Sequence, residues 1–279
     1  MNADQPCPRP VMRYYGGKFR VASEIVALMP EHEVYVEPFG GAASVMLCKP
    51  PCPCEVYNDL YGDVVNVFRQ MRDSGDALLR GLFLTPFSRE EYQGAYEATT
   101  DAVEAARRFI FRSFAGVGSD SARRRCGFRI AMDEGKYAWA ASWATLPESL
   151  RLVCERLRGV IIEHGEAGKV MAQFDGVKTL HYVDPPYLAT TRKRQSRAYE
   201  HEMLGEKEHE ALLAQVVALK GKVIVSGYDH KIYHRRLKGW AVREFKARDQ
   251  RNGQRTEVVW MNYEPPCEQP ELFAEVNDE

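Results

Sequence analysis

The chain has 279 residues, 45% of them hydrophobic and 28% charged, and a formal net charge of −1 at pH 7. This composition is typical of a folded globular protein with one large domain or two moderate ones. No run approaches the ~18 apolar residues of a membrane span, and the first ten residues form no basic, apolar leader, so we expect a cytoplasmic protein.

The seven cysteines are scattered, and only Cys52 and Cys54 form a tight pair. A zinc site would need a second such pair, so we predict no metal site and reduced thiols.

The first elements predict a nucleotide-binding half. Apolar spacing over 21–29 indicates a helix, and Val34 to Glu37 reads as a strand that runs into the small-residue turn 38–44 and a further helix. A strand, a glycine-containing turn and a helix are typical of the first crossover of a nucleotide-binding sheet. The second strand, 55–58, is followed by Asp59, about 20 residues past that turn, where a carboxylate often holds ribose hydroxyls. An adenosine-type cofactor is therefore favoured.

Residues 63–157 have a helical pattern. Ser88 with Glu91 predicts a capping box, Asp101 a second N-cap, and Pro147 the start of a later helix. We expect a separate helical lobe over residues 71–154.

The same block is locally basic. Between residues 107 and 129, seven arginines stand against a single acid, Asp120, and a local patch of this kind sets nucleic-acid binding more than net charge does. They are Arg107, Arg108, Arg112, Arg123, Arg124, Arg125 and Arg129.

Strand patterns resume after the helical block, at 160–163, 179–183, 222–226, 240–245 and 257–262. Seven strands, the first five alternating with helices, predict an α/β fold with a Rossmann-like, mostly parallel sheet. The last two should form a hairpin, which puts one antiparallel strand in the sheet.

The fourth strand ends in Asp184-Pro185-Pro186-Tyr187. Two prolines remove two N–H donors and two free φ angles, so the chain leaves the sheet as a rigid loop. An acidic acceptor and an aromatic face on such a loop suit a planar heterocycle with an amino group. The alternative is a plain turn with a packed tyrosine.

Together these motifs resemble the Dam-like DNA adenine methyltransferases, and the resemblance extends from about Arg13 to Tyr263. In chain order it rests on Tyr14 to Lys18, on Glu37 to Gly41, on Asn58 with Asp59, on the Arg-rich lobe and on Asp184 to Tyr187. One departure is Ala43, where the family often has glycine; its methyl could tighten the cofactor pocket.

The resemblance implies transfer of a methyl group from S-adenosyl-L-methionine to the N6 amine of a flipped-out adenine in double-stranded DNA. Residues 1–70 and 155–279 would form the catalytic, cofactor-binding domain, and 71–154 the target-recognition domain. The implied cofactor contacts are Tyr14, Lys18, Glu37, Phe39, Gly40, Asp59 and Asp184.

The implied chemistry needs alignment rather than a metal or a covalent nucleophile. Asp184 and the Pro185 carbonyl would accept the two N–H bonds of the target amine, and Tyr187 would stack on the extruded base. We expect DNA contacts from Arg112, Arg123, Arg124, Arg125, Arg129, Arg192 and Lys193.

Three alternatives remain open at this point. Transfer to cytosine N4 or to RNA or protein amides uses related chemistry, although Asp184 favours adenine. A nucleotide-fold oxidoreductase could share the turn and Asp59, and a catalytically inactive DNA-binding module could share the basic lobe. We also expect a bacterial or phage-encoded protein that is associated with the nucleoid. The target sequence, the oligomeric state, for which a homodimer is one option, and the existence of a partner nuclease are not decided.

Overall fold

A computed structural model describes residues 7–118, 120–130, 139–188, 203, 205–248 and 254–266. Seven strands form one sheet: β1 (Val34–Glu37), β2 (Cys54–Asn58), β3 (Val160–Glu163), β4 (Thr179–Val183), β5 (Lys222–Gly227), β6 (Ala241–Arg248) and β7 (Gln254–Met261). Their order across the sheet is β3-β2-β1-β4-β5-β7-β6. The predicted Rossmann-like α/β fold is confirmed.

The strands β1 to β5 pair in parallel, while β7 is antiparallel to both β5 and β6. The predicted hairpin is therefore present, and its returning strand is the one antiparallel strand among those described. Because β7 runs the other way, its first residues lie at the edge where the parallel strands end.

The helices of the chain are α1 (Ala22–Ala27), α2 (Ser44–Cys48), α3 (Gly62–Asp73), α4 (Gly75–Leu84), α5 (Arg89–Gly94), α6 (Ala102–Ala115), α7 (Trp139–Ala144), α8 (Leu146–Leu157), α9 (Ala167–Gln173), α10 (Glu206–Val217) and α11 (Lys231–Arg236). None in the described part of the chain is long and apolar enough to cross a membrane.

Two predicted helix caps are present. The Asp101 carboxylate accepts from the Glu104 backbone N–H, and the Ser88 hydroxyl accepts from that of Glu91. The second half of the predicted capping box is absent, because the Ser88 N–H donates to the Pro86 carbonyl and the Glu91 carboxylate pairs with Arg107. A nearby guanidinium is the stronger partner for a carboxylate.

The helical block shares a core with the sheet. A single buried cluster includes Tyr35 of β1, Phe68 of α3, Phe109 of α6 and Leu150 of α8. A recognition domain over 71–154 stays a prediction.

The structure joins Cys7 and Cys48 in a disulfide, with their Cα atoms 4.6 Å apart. The expectation of reduced thiols is therefore wrong for this pair. Its spacing of 41 residues gave no sign that the N-terminal segment lies beside α2. Cys52, Cys54, Cys126 and Cys154 are free thiols.

Candidate active site

A cavity of about 330 Å³ opens where β1, β2 and β4 end. In open sheets with helices on both faces, ligands bind beyond the carboxyl ends of the strands, where the strand order reverses. Here the order reverses between β1 and β4. All seven residues predicted to contact the cofactor line the cavity: Tyr14, Lys18, Glu37, Phe39, Gly40, Asp59 and Asp184.

The turn after β1 is held against β2. The Gly40 N–H donates to the Asn58 carbonyl at 2.7 Å, and a Cβ on Gly40 would stand 2.1 Å from the Tyr57 ring. The Tyr57 hydroxyl donates to the Gly41 carbonyl at 2.8 Å. Only glycine at position 40 lets β1 and β2 keep this separation.

Ala43, the departure from the family pattern, has φ of 52°. This left-handed backbone is the conformation that glycine adopts without cost. Ala43 is fully buried in the core and is absent from the cavity wall, to which Ala42 and Ser44 contribute. The expected tightening of the cofactor pocket by the Ala43 methyl is therefore not seen.

The Asp59 carboxylate accepts hydrogen bonds from the backbone of the same turn and of Tyr61. Its Oδ2 accepts from the Gly41 N–H at 2.8 Å, and its Oδ1 accepts from the Tyr61 N–H at 2.8 Å. Each carboxylate oxygen can accept more than one bond, so Asp59 can hold the turn and still accept from a ligand hydroxyl.

Glu37 is a buried carboxyl at the end of β1. Its Oε2 accepts from the Tyr35 hydroxyl at 2.8 Å and from the Met46 N–H at 3.0 Å. Burial raises the pKa of Glu37 to about 8, against an ordinary value of 4.5. Among the described residues Oε1 has no hydrogen-bond partner. A cation bound beside this oxygen would favour release of the carboxyl proton and be stabilised by the resulting charge.

Asp184 and Lys18 form an ion pair at the cavity. The Lys18 Nζ donates to both Asp184 oxygens, at 2.9 and 2.8 Å, and to the Gly16 carbonyl at 3.0 Å. Burial raises the pKa of Asp184, and Lys18 opposes that rise. Burial alone would lower the pKa of Lys18, but Asp184 and Glu257 raise it. Each charge of the pair thus favours the ionised form of the other.

Tyr187 is buried beside this pair, with 5% of its surface exposed. Its hydroxyl donates to Glu257 Oε2 at 2.7 Å. The Lys18 Nζ lies 4.7 Å from its ring centroid, and the Tyr228 ring lies 4.4 Å away. Of the loop that follows β4, Asp184 and Pro186 line the cavity, whereas Pro185 and Tyr187 do not.

The predicted DNA-contacting arginines divide into two groups. Arg112 donates to the Ala95 carbonyl, and Arg129 donates to the Gly116 carbonyl. Arg129 also stacks 4.0 Å from the Trp139 ring centroid. Both side chains are half-buried.

Arg124 and Arg125 are exposed, and Arg124 lies 3.3 Å from Asp120. The Arg123 side chain is only 10% exposed and lies 3.7 Å from the same carboxylate. Arg192 and Lys193 lie outside the described residues.

Several residues of the site are not among the contacts that the sequence predicts. Asn58 donates to the Pro38 and Gly165 carbonyls and accepts from the Gly165 N–H, which joins the β1 turn to the segment after β3. Glu208 and Gln215 reach the cavity from α10. Glu257 was recognised only as part of the last strand, since nothing local shows that an antiparallel strand delivers it to Tyr187.

Within the described ranges no group of three His, Cys, Asp or Glu side chains is placed to hold a metal ion.

A mostly parallel sheet that reverses its order beside a glycine turn is typical of α/β proteins that bind nucleotide-type ligands at this edge. A family model for D12 class N6 adenine-specific DNA methyltransferases matches residues 14–247. The chain belongs to this family, as the resemblance of its motifs predicted.

The chain is also 33% identical over 89 residues to the Type II methyltransferase M1.LlaDCHI of Lactococcus lactis subsp. cremoris. The matched stretch spans 32% of this chain and 30% of that relative.

Proposed function

We propose that this protein transfers the methyl group of S-adenosyl-L-methionine to the N6 amine of an adenine in double-stranded DNA. The observation that carries the proposal is the contact of Asp184 with Lys18 at 2.8 Å, at a cavity on the switch point of the sheet, in a chain of the adenine-specific family. Methylation of cytosine N4 is the competing reaction, and the family supports adenine.

The cavity residues fit S-adenosyl-L-methionine. This cofactor carries a sulfonium cation attached to an adenosine, and the sulfonium supplies an activated methyl group. Glu37 offers a buried carboxyl with an unshared oxygen, and Asp59 offers acceptors for ribose hydroxyls at the adjacent strand end. Tyr14 and Phe39 provide apolar walls.

The protein's catalytic task is to orient a weak nucleophile. The adenine amine has its lone pair delocalised into the ring, and acceptors for its two N–H bonds turn that lone pair outward. Asp184 and the Pro185 carbonyl fill this role, and Asp184 or water takes the proton from the product nitrogen. Alignment of this kind contributes up to about 7–11 kcal/mol.

Tyr187 is proposed to stack on the extruded base. A base must leave the duplex to reach Asp184 in the cavity wall, at a cost of roughly a few kcal/mol. Stacking on an aromatic ring is worth about 1–3 kcal/mol per base. The Tyr187 ring faces Lys18 and Tyr228 in this structure, so stacking requires Lys18 to move aside.

DNA approaches this cavity from the Arg-rich side. Arg124 and Arg125 are exposed. Burial raises the pKa of the cavity residue Tyr14, and the charge of Arg123 opposes that rise, so the Arg-rich segment lies on the Tyr14 side of the cavity. Guanidinium groups bind phosphates or guanine edges equally well. This placement supports the helical lobe as the recognition domain.

The test is expression in a host that lacks adenine methylation, followed by sequencing that detects modified bases. We expect N6-methyladenine at one short motif, which reports activity, base and target together. Asp184→Ala should bind duplex DNA as the wild type does while transfer falls roughly 10²- to 10⁴-fold, the range for loss of a positioned acid–base group. Methylated cytosine, or full transfer by Asp184→Ala, would refute the assignment.

A further inference from the structure

Glu257 contacts the proposed catalytic loop although it lies 70 residues further along the chain than Tyr187. It enters the site because β7 runs antiparallel to β5, so that its first residues lie beside the end of β5: Val258 pairs with Gly227. The Glu257 side chain is 12% exposed, and its Oε2 accepts from the Tyr187 hydroxyl at 2.7 Å.

The same carboxylate oxygen lies 3.9 Å from the Lys18 Nζ. Lys18 is thus the one ammonium that faces two carboxylates among the described residues of this cluster, Asp184 at 2.8 Å and Glu257 at 3.9 Å. The side chain of Lys18 is 5% exposed. A buried ammonium that leaves one carboxylate needs another at once, because an unpaired buried charge is costly.

Under the proposed function, Asp184 must accept an N–H bond of the target amine. In this structure both of its oxygens accept from Lys18. The Lys18 ammonium also covers a face of the ring on which the base would stack. A movement of Nζ toward Glu257 would free an Asp184 oxygen and one face of Tyr187 together.

We propose that Glu257 is a positioning residue of the methyl-transfer site: it anchors the Tyr187 hydroxyl and takes over Lys18 when the target base enters, so that Asp184 can bind the amine. This inference rests on the proposed function. The base need not be adenine for it to hold, because any exocyclic amine bound by Asp184 requires the same movement.

The charges around Asp184 set the pH dependence of the test. Burial raises the pKa of Asp184, Lys18 lowers it, and Glu257 raises it. Removing the Glu257 charge should therefore lower this pKa, and the acid limb of the rate profile should move to lower pH. The other titratable groups that face Asp184 are Glu37, Tyr182, Tyr187 and Tyr233.

The experiment measures single-turnover methyl transfer from radiolabelled S-adenosyl-L-methionine to unmethylated plasmid DNA. The rate is measured from about pH 5 to about pH 9 to give a pH–rate profile. The variants are Glu257→Gln, Tyr187→Phe and the double substitution, with Glu244→Gln as control. Glu244 is an exposed carboxylate of the same hairpin. Unfolding by heat is followed for each variant.

We expect Glu257→Gln to slow transfer roughly 10- to 100-fold, as a small misplacement of reacting groups does. The KM for DNA should stay near that of the wild type, and the acid limb should move to lower pH. The effects of Glu257→Gln and Tyr187→Phe should be less than additive, because both act on the same contact: Tyr187→Phe removes its donor, and Glu257→Gln removes the charge of its acceptor. Glu244→Gln should match the wild type throughout.

Wild-type rates in Glu257→Gln would overturn the proposal. So would a loss with an unmoved acid limb that follows the unfolded fraction, since this is the result of a structural role alone. A wild-type protein that transfers no methyl group to DNA contradicts the proposed function instead, and that result is read from the wild type before any variant is compared.

Discussion

Ala43 shows how one residue can carry backbone strain beside a binding site. A non-glycine residue in the left-handed region costs about 1–2 kcal/mol, and Ala43 adopts it at φ of 52° with its methyl fully buried. The strain is compatible with function because the β1 turn is held by Tyr57 and Asn58 of the adjacent β2 and by Asp59, which follows it.

We therefore expect Ala43→Gly to stabilise the protein, or to be neutral where the lost methyl packing offsets the relieved strain, with a change within about 1 kcal/mol. Ala42→Gly is the matched control, since Ala42 is also buried and has no positive φ, and it should destabilise. Urea unfolding of the three proteins gives the comparison. A larger loss in Ala43→Gly than in Ala42→Gly would contradict the strain argument.

Glu37 makes stability depend on pH. Its pKa in the folded protein is about 8, while the ordinary value is 4.5. The folded state thus binds the proton more tightly than the unfolded state does, and the free energy of unfolding falls as pH rises from about 4.5 to about 8.

Glu37→Gln should remove this dependence, because an amide keeps the acceptor for Tyr35 and Met46 without a titrating group. Relative to the wild type, the free energy of unfolding of Glu37→Gln should rise as pH rises, by roughly a few kcal/mol above pH 8. Denaturant unfolding at a series of pH values measures it, with the exposed Glu31→Gln as control. Parallel pH profiles for wild type and Glu37→Gln would show that Glu37 does not titrate in this range.

At the scale of elements, α8 is tied to the sheet by buried charges. Arg156 of α8 contacts both oxygens of Glu55 on β2, and Lys49 donates to Glu55 Oε1 at 2.6 Å. Arg156 also donates to the Met46 carbonyl, and the Met46 N–H donates to Glu37. A continuous polar network therefore links the helical block to the proposed cofactor site.

Arg156→Ala should destabilise the protein by about 3–5 kcal/mol, because removal of one member leaves buried charges and carbonyls without their partner. Arg151→Ala, on the exposed face of α8, should change stability by less than about 0.5 kcal/mol. Thermal unfolding compares the two. Equal losses of stability in the two variants would mean that the buried charge network contributes no more to stability than helix propensity does.

The whole molecule combines a net charge of −1 with a local basic face. DNA binding by such a face releases counterions, and each phosphate contact contributes about 0.9 to the slope of log affinity against log salt.

We expect the double substitution of Arg124 and Arg125 by alanine to reduce this slope by about 1 to 2 without loss of stability, because both side chains are exposed. Arg80→Ala, an exposed arginine of the same helical block, should leave the slope unchanged. Fluorescence anisotropy with duplex DNA over a salt series decides. An unaltered slope in the double variant would move recognition to another surface.

Local pattern determined much of this protein. The bounds of β1, β3 and β4, the caps at Ser88 and Asp101, and the Asp184 loop were all readable from sequence, because alternation, capping and proline constraints act over a few residues. The order of the motifs also indicated the family, which the comparison confirmed.

Only the tertiary structure decided which side chains meet. It paired Lys18, predicted as a cofactor contact, with Asp184 across 166 residues, and it brought Glu257 to Tyr187 across 70. It turned Arg112 and Arg129 inward while Arg124 and Arg125 stayed exposed. These outcomes depend on the strand order and on the antiparallel direction of β7. Both are stabilised by contacts between residues far apart in the chain, which local spacing does not encode.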